Sequence, residues 1–488
     1  MTCCKCEEFG WAYPAKTVWE DPEGQEYCIF HAPEQGKGVS KEEFNAHIFN
    51  TIRNSAKQNQ VCDLSSTVFS WDIVFSNKSI ELPAPSIDLS NAIFERAASF
   101  IGFKTNNKII LDNAIFKDVL TFHRSTLEGP SSFTYITCDG KVLLRYCKIN
   151  DTEGFNSAIF GSPVEINSVE FNNADFNFAT FEDTLTIRYT DFFENSYFEN
   201  TTFKGNVKII GTTFNNTTFR WSNFLSEAAF ICATFSKIAV FTQATFAGET
   251  SFLNCETSES HMILREISIL HRISFSRIDL RKTSFLFTDL EKIQFHNVKW
   301  QTSSHGTRLI SSVEGHLQSN IDSDGKNIDA DVLQDTISFY RQMKKKARDN
   351  SDDEEASQWH YSEKELRLRK LKNNKNLSFQ RAILEIYRII SRYGEDPLQA
   401  AEVLFYLALL LLASLALGGL YALGEPPFDI TASRVAKGLR AFAQYALFMK
   451  PDWSPPAFFD FIAILLSRLL IPIQAAIFAF ALRNKLHR

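Results

Sequence analysis

Residues 171–224 read FNNADFNFATFEDTLTIRYTDFFENSYFENTTFKGNVKIIGTTFNNTTFRWSNF. A phenylalanine, or an aliphatic stand-in, returns every five or six residues: Phe171, Phe176, Phe181, Ile187, Phe192, Phe198, Phe203, Ile209, Phe214, Phe219, Phe224. The pattern continues through Phe230, Phe235, Phe241, Phe246 and Phe252, and a looser form runs from about Phe69 to Trp300. Two residues before most of these stands something small, such as Ala174, Ala179, Ser196, Thr201, Thr212 or Ser222. A period of five fits neither a strand nor a helix. It fits a square coil with one side per repeat and the bulky residue turned inward. Steps of six interrupt the fives, so every fourth inward residue lies about 21–22 positions on. Phe94, Phe116, Cys138 and Phe160 form one such row, and Ile166, Ile187, Ile209, Phe230 and Phe252 another. Stacked coils place like residues above each other at about 4.8 Å, the hydrogen-bonded strand spacing. A β-sandwich would instead alternate with period two and carry turn signals every 8–12 residues.

The segments NADFNFATFEDT (173–184), NTTFKGNV (200–207) and GTTFNNTTFRWSNF (211–224) resemble the pentapeptide-repeat family, whose pattern is A-x-F-x-x. The match covers about half the chain. It implies a β-solenoid, a right-handed quadrilateral β-helix, over residues 67–301. Roughly eleven coils would make a rod on the order of 50 Å long. The phenylalanines are then core rather than a ligand box, and such a rod is a surface and a spacer rather than a cleft. Function is therefore sought at its two ends.

The chain has 488 residues, room for several domains, and a formal net charge of −6. No basic stripe marks a nucleic-acid surface, so no nucleic-acid partner is expected. The start at Met1 carries no apolar leader, which points to a reducing cytosol for the solenoid. Cys62, Cys138, Cys147, Cys232 and Cys255 are accordingly expected as buried thiols rather than disulfides.

Four of the nine cysteines fall in the first 28 residues. Cys3-x-x-Cys6 is followed by Cys28-x-x-His31, two chelating pairs that can close a tetrahedral zinc site. Residues 1–40 then form a zinc-knuckle-like segment covered by Trp11, Tyr13, Trp19, Tyr27 and Phe30. Cys4 is a spare thiol able to replace Cys3. Four protein ligands leave no open position, so such a zinc is structural. The competing reading is a disordered tail with chance cysteines. Residues 41–66 read as a linker and short amphipathic helix.

The repeat ends near Trp300, and a polar connector follows over 302–331. Residues 332–397 read as a cytoplasmic helical hairpin and a juxtamembrane helix of about 378–393. The latter carries Ile383, Ile386, Ile389 and Ile390 with interleaved Arg381, Arg388 and Arg392. Such a basic amphipathic helix suits an anionic leaflet; packing on the hairpin is the other reading. A membrane domain occupies 398–488. Its first span is expected at about 403–423 and its second at about 457–482. An amphipathic helix at about 434–448 between them is too short and polar to cross. Lys and Arg before the first span, and in the tail RNKLHR, place both ends in the cytoplasm.

Span, short re-entrant-like helix, span is the layout of a two-helix pore. The C-terminal end, including LLIPIQAAIFAFALRNKLHR, resembles the pore domain of bacterial two-transmembrane potassium channels. YRIISRYGEDPL resembles segments of bacterial membrane-attached pentapeptide-repeat proteins with such an end. The resemblance implies a homo-oligomer, a tetramer by analogy, in the bacterial inner membrane. The family's filter T-V-G-Y-G is replaced here by LFMKPDW (Leu447–Trp453), which has no glycine, so potassium selectivity is not expected. Phe448, Met449, Lys450 and Asp452 are the gate and filter candidates. Asp460, Arg468 and Pro472 join them. A charge inside a span is a functional-site hypothesis by default, and proline supplies a kink. Arg468 either pairs with Asp460 or a neighbouring subunit, or snorkels to an interface.

Two functions fit this sequence: a channel gated by the solenoid, and a membrane-anchored scaffold that binds a protein partner. An enzyme is not expected, because no P-loop, G-x-S-x-G or H-E-x-x-H is present.

Overall fold

A computed structural model describes residues 3–11, 15–77, 84–302, 308–309, 330–372, 378–422, 432–447, 449 and 457–486. The chain forms two compact units, one holding the residues up to Gln301 and the other the helices from Ala330 onward. The expected connector over 302–331 lies largely outside the described residues.

The first unit is a β-solenoid of about ten turns. Parallel strands stack into sheets of ten, eleven and thirteen strands. The ten-stranded sheet is one side of the coil. It aligns Phe69, Phe94, Phe116, Cys138, Phe160, Phe181, Phe203, Phe224 and Phe246 in register. The eleven-stranded sheet is the next side, with Ile166, Ile187, Ile209, Phe230 and Phe252 in one column. The thirteen-stranded sheet supplies two sides, because its strands turn a corner. Asp191–Tyr197 pairs with Glu170–Phe171 by its first half and with Ala174–Asp175 by its second. The square cross-section expected from four repeats per coil follows from these pairings.

Identical residues one coil apart bring their rings face to face. Phe176, Phe198, Phe219 and Phe241 stack with centroids 5.1, 4.7 and 5.0 Å apart. The small residues two positions earlier, such as Ala174, Ser196 and Ala239, are fully buried beside them. They leave room for the bulky residue at the adjoining corner. Two corners of each coil use left-handed backbone. One column holds Tyr135, Ser157, Phe178, Asn200 and Trp221 at φ between 55 and 59°. The other includes Tyr146, Ser168, Tyr189 and Gly211. Most of these are not glycine, so each carries a steric cost that the flanking ladders offset.

Cys62, Cys138, Cys147 and Cys255 are buried free thiols. Burial pushes Cys62 and Cys255 up to about 12, which makes them poor nucleophiles. Cys232 departs from expectation: it is exposed, because it falls on a left-handed corner with φ 52°.

The N-terminal edge of the rod is covered. Helix α1 (Cys4–Glu8) and a hairpin of β1 (Thr17–Glu20) and β2 (Glu26–Cys28) precede helix α2 (Lys41–Gln58). Ser40 and Glu43 close a capping box at the start of α2. Phe44 of α2 meets Phe69 of the first coil at 6.1 Å, and Phe49 meets Phe75 at 6.1 Å. The Val68 N–H donates to the Phe30 carbonyl, at 2.8 Å. An open edge strand is a template for aggregation, and this cap removes it.

The second unit is helical. Helices α3 (Ala330–Asp349) and α4 (Asp353–Lys372) form a hairpin closed by Asp352, whose carboxylate accepts from the Glu355 N–H at 2.8 Å. Trp359 is fully buried against Phe339 and Tyr340. Helix α5 (Ser378–Ser391) leads through a turn into α6 (Pro397–Ala422). Then come α7 (Ala432–Ala446), α8 (Ala457–Leu465) and α9 (Ile471–Leu486). A π-turn, Leu466–Leu470, joins α8 to α9. Pro472 lacks the N–H that the Arg468 carbonyl would receive in an α-helix, and its ring crowds that carbonyl. The widened turn relieves both.

Candidate metal centre and membrane module

Cys3, Cys6, Cys28 and His31 converge, all four buried, with their ligand atoms within 4.8 Å of one another. The β1–β2 hairpin delivers Cys28, and the tight turn after it delivers His31, whose N–H donates to the Cys28 carbonyl at 3.1 Å. Helix α1 and the residue before it deliver Cys6 and Cys3. Cys4 is only half-buried and lies outside the group.

Four of the six ligand-atom spacings lie close to the edges of a tetrahedron. Cys6 Sγ and Cys28 Sγ are 3.7 Å apart. His31 Nδ1 lies 3.3 Å from Cys3 Sγ, 3.6 Å from Cys6 Sγ and 3.3 Å from Cys28 Sγ. Ligands at about 2.3 Å (sulfur) and 2.0–2.1 Å (nitrogen) from a central ion sit about 3.5–3.8 Å from one another. The group could therefore hold a metal ion. His31 is oriented from behind: Nε2 lies 3.2 Å from the Ser65 carbonyl, which fixes that nitrogen as the N–H and leaves the Nδ1 lone pair facing the sulfurs. Trp11 stacks edge-on against the His31 ring at 4.7 Å and donates to Ser65 Oγ at 3.0 Å. Phe30 closes the other side of Trp11 at 5.4 Å. Burial holds the His31 imidazole down at about 4, so it is in the neutral, ligating form. Burial also pushes the Cys6 and Cys28 thiols up, so they ionise readily only with a cation at the centre. Of the other aromatics expected here, Trp19 and Tyr27 pair with each other at 5.3 Å on the hairpin, and Tyr13 lies outside the described residues.

In the helical unit, two stretches are long and apolar enough to cross a membrane: Pro397–Leu415 and Phe458–Leu486. Helix α7 packs against both. Leu411 and Leu415 of α6, Ala441 and Tyr445 of α7, Ala463 of α8 and Leu466 form one buried cluster. Asp460 accepts a hydrogen bond from the Tyr445 hydroxyl. Arg468 is exposed on the π-turn, and among the described residues it forms no ion pair with Asp460. Tyr445, which the sequence pattern did not single out, takes that place. Met449 is exposed and its N–H donates to the Gln444 carbonyl at 2.8 Å. Phe448, Lys450 and Asp452 lie outside the described residues.

Two further residues emerge only from the packing. Gln474, a polar break in the second apolar segment, is buried and its amide donates to the carbonyls of Ala400 (2.9 Å) and Ile390 (3.2 Å). It ties α9 to the α5–α6 turn. Glu363 is buried in the hairpin and meets Lys344 at 2.6 Å, Arg367 at 2.7 Å and Arg341 at 3.5 Å. Burial alone would raise its carboxyl. Lys344, Arg367 and Arg341 outweigh that and hold it below the usual range. A lowered folded value means that this stabilisation is intact above pH about 4.5 and is lost as pH falls further. We expect Glu363→Gln to destabilise the hairpin by about 2–3 kcal/mol, less than a fully buried pair because Arg341 and Arg367 face solvent. Thermal unfolding of wild type and variant at neutral pH and at pH 4 checks this. The gap should narrow at the lower pH; an unchanged gap contradicts it.

No protein-family model matches this chain, and no curated protein sequence matches it.

Proposed function

We propose that this is a membrane-anchored pentapeptide-repeat protein whose C-terminal module assembles into a channel-like pore. A structural zinc in the N-terminal cap and the solenoid form its cytoplasmic sensing or gating part. The observation that carries the reading is the seating of α7 against both candidate spans through Ala441 and Tyr445. A short helix packed between two spans, with its C-terminal end running into the LFMKPDW segment, is the arrangement a re-entrant pore helix requires. A mere tether has no use for it.

In an apolar 18-residue stretch of each candidate span only 22% of the residues are buried within the chain. Phe405, Tyr406, Phe458, Phe461 and Ile473 remain exposed and apolar. Lipid and neighbouring copies are the partners that fit those faces, in a homo-oligomer with both chain ends on the cytoplasmic side of a bacterial inner membrane. Without a glycine filter the pore is not potassium-selective, and Lys450 would favour anions. The reading assigns no catalysis.

The test is ion flux from liposomes holding the purified chain. Wild-type protein should conduct, and Lys450→Glu should shift the reversal potential toward cation preference. No flux from inserted, oligomeric protein would move the assignment to an anchored scaffold. A specific observation favours that second reading as well. Tyr135, Phe178 and Trp221 stand exposed on one corner column of the rod, two coils apart from each other. Such a row suits a protein partner.

A further inference from the structure

We propose that the groove between α3, α4 and α5 seats the headgroup of an anionic phospholipid, with α5 lying in the membrane interface beside it. The inference rests on the membrane part of the reading above and not on the pore.

The groove has a volume of about 480 Å³. Arg341 of α3 and Arg367 and Lys370 of α4 line it, over a floor of Ile337, Leu371 and Ile383. Among the described residues no carboxylate lines it. Glu363, buried behind the wall, is already shared by Arg341, Lys344 and Arg367, and Glu385 of α5 is paired with Arg381. Three cations on one carboxylate leave an excess of positive charge on the open side. Lys370 adds to it, since its amine donates to the Gln334 amide oxygen at 2.6 Å rather than to a carboxylate. Paired guanidinium groups flanked by an ammonium are a phosphate-binding set.

The apolar floor continues out of the groove. Ile383 belongs both to the floor and to a stripe on α5 formed by Phe379, Ile383, Ile386 and Ile389, each at least half exposed. The opposite flank of α5 is the one that packs on α4, through Arg388 to Glu365 at 3.7 Å. Membrane contact and hairpin packing, competing readings of this helix, therefore use different faces. α5 also adjoins the first candidate span directly: the Gln399 side chain of α6 donates to the Ile389 carbonyl. A stripe of this kind beside a span lies at headgroup depth, with its apolar side toward the acyl chains. A free phosphate or a soluble acidic ligand would leave the stripe uncovered. An anionic lipid satisfies both the cations and the stripe.

The full chain in nanodiscs with equal amounts of phosphatidylcholine and phosphatidylglycerol tests this, with native mass spectrometry of the lipids that remain bound. Wild-type protein should retain phosphatidylglycerol over phosphatidylcholine by at least about five-fold, the effect of roughly one cation near an anionic surface. Arg341→Gln with Lys370→Gln should abolish most of that preference. Both side chains are partly or fully on the surface, Lys344 and Arg367 still hold Glu363 when Arg341 is replaced, and a single cooperative melting transition in the same discs shows that the variant is folded. A preference retained by the double variant, or one stripped by excess inorganic phosphate, overturns the assignment. So does inserted wild-type protein without a preference, which leaves the membrane reading standing. Protein that does not insert overturns both.

Discussion

Cys6→Ser is expected to abolish metal binding by the Cys3, Cys6, Cys28 and His31 group and to unfold the N-terminal cap, the largest effect of any single substitution outside the spans. The cap has little core of its own, so a bound ion would supply its folding energy, apparent values for structural zinc being about 10–16 kcal/mol at neutral pH. Losing it releases His31 from Ser65 and Phe30 from Val68. The strands Cys62–Asp63, Val68–Phe69 and Ile73–Phe75 then present an open edge. Aggregation should follow. Elemental analysis should give one zinc per chain for wild type and for Cys4→Ser, whose thiol lies outside the group, and none for Cys6→Ser. Size-exclusion chromatography after chelation should show wild type converting to larger species. Equal zinc in Cys6→Ser, or a chelated chain that stays monodisperse, would sink the metal assignment.

Phe198→Ala should cost about 3–5 kcal/mol, the range for removing a buried phenylalanine ring. Its ring is sandwiched between Phe176 and Phe219, with Phe192 and Phe203 edge-on or tilted beside it. Because each coil touches only its neighbours, the loss should be local and split the rod into two separately unfolding segments. Hydrogen exchange should accelerate over the coils around Phe198 and stay unchanged near Phe94. Phe193→Ala, five residues earlier on the exposed side of the coil, should stay within about 0.5 kcal/mol. Similar behaviour of the two variants would contradict the inward assignment of the repeat.

Much of this is legible in the amino-acid sequence alone. The columns through Phe116, Cys138 and Phe160, and through Ile187, Ile209 and Phe230, follow from counting residues. A solenoid is a local fold, and its contacts recur at a fixed separation. The four residues that could hold a metal, Cys3, Cys6, Cys28 and His31, are legible for a similar reason, since each pair is set by a three-residue spacing. The choice of Cys3 over Cys4 was not. It depends on which of two adjacent thiols α1 turns inward. Cys232 was misplaced because the left-handed corner that exposes it has no glycine to announce it.

The helical unit was legible as elements and not as contacts. Apolar length marked the candidate spans, and Pro472 marked a break. Asp460 and Arg468 suggested a pair because they share one segment; packing gave Asp460 to Tyr445 on another helix instead. Gln474 looked like a flaw in a span and is a tie to the α5–α6 turn. The sequence by itself therefore determined the rod, the Cys/His group and the apolar segments, because periodicity, short spacing and hydropathy act over neighbouring residues. Only the tertiary structure decided how α7 sits between the candidate spans, which cations share Glu363, and which face of α5 stays bare. Those outcomes depend on groups far apart in the chain meeting in space, where burial makes each unpaired polar atom costly.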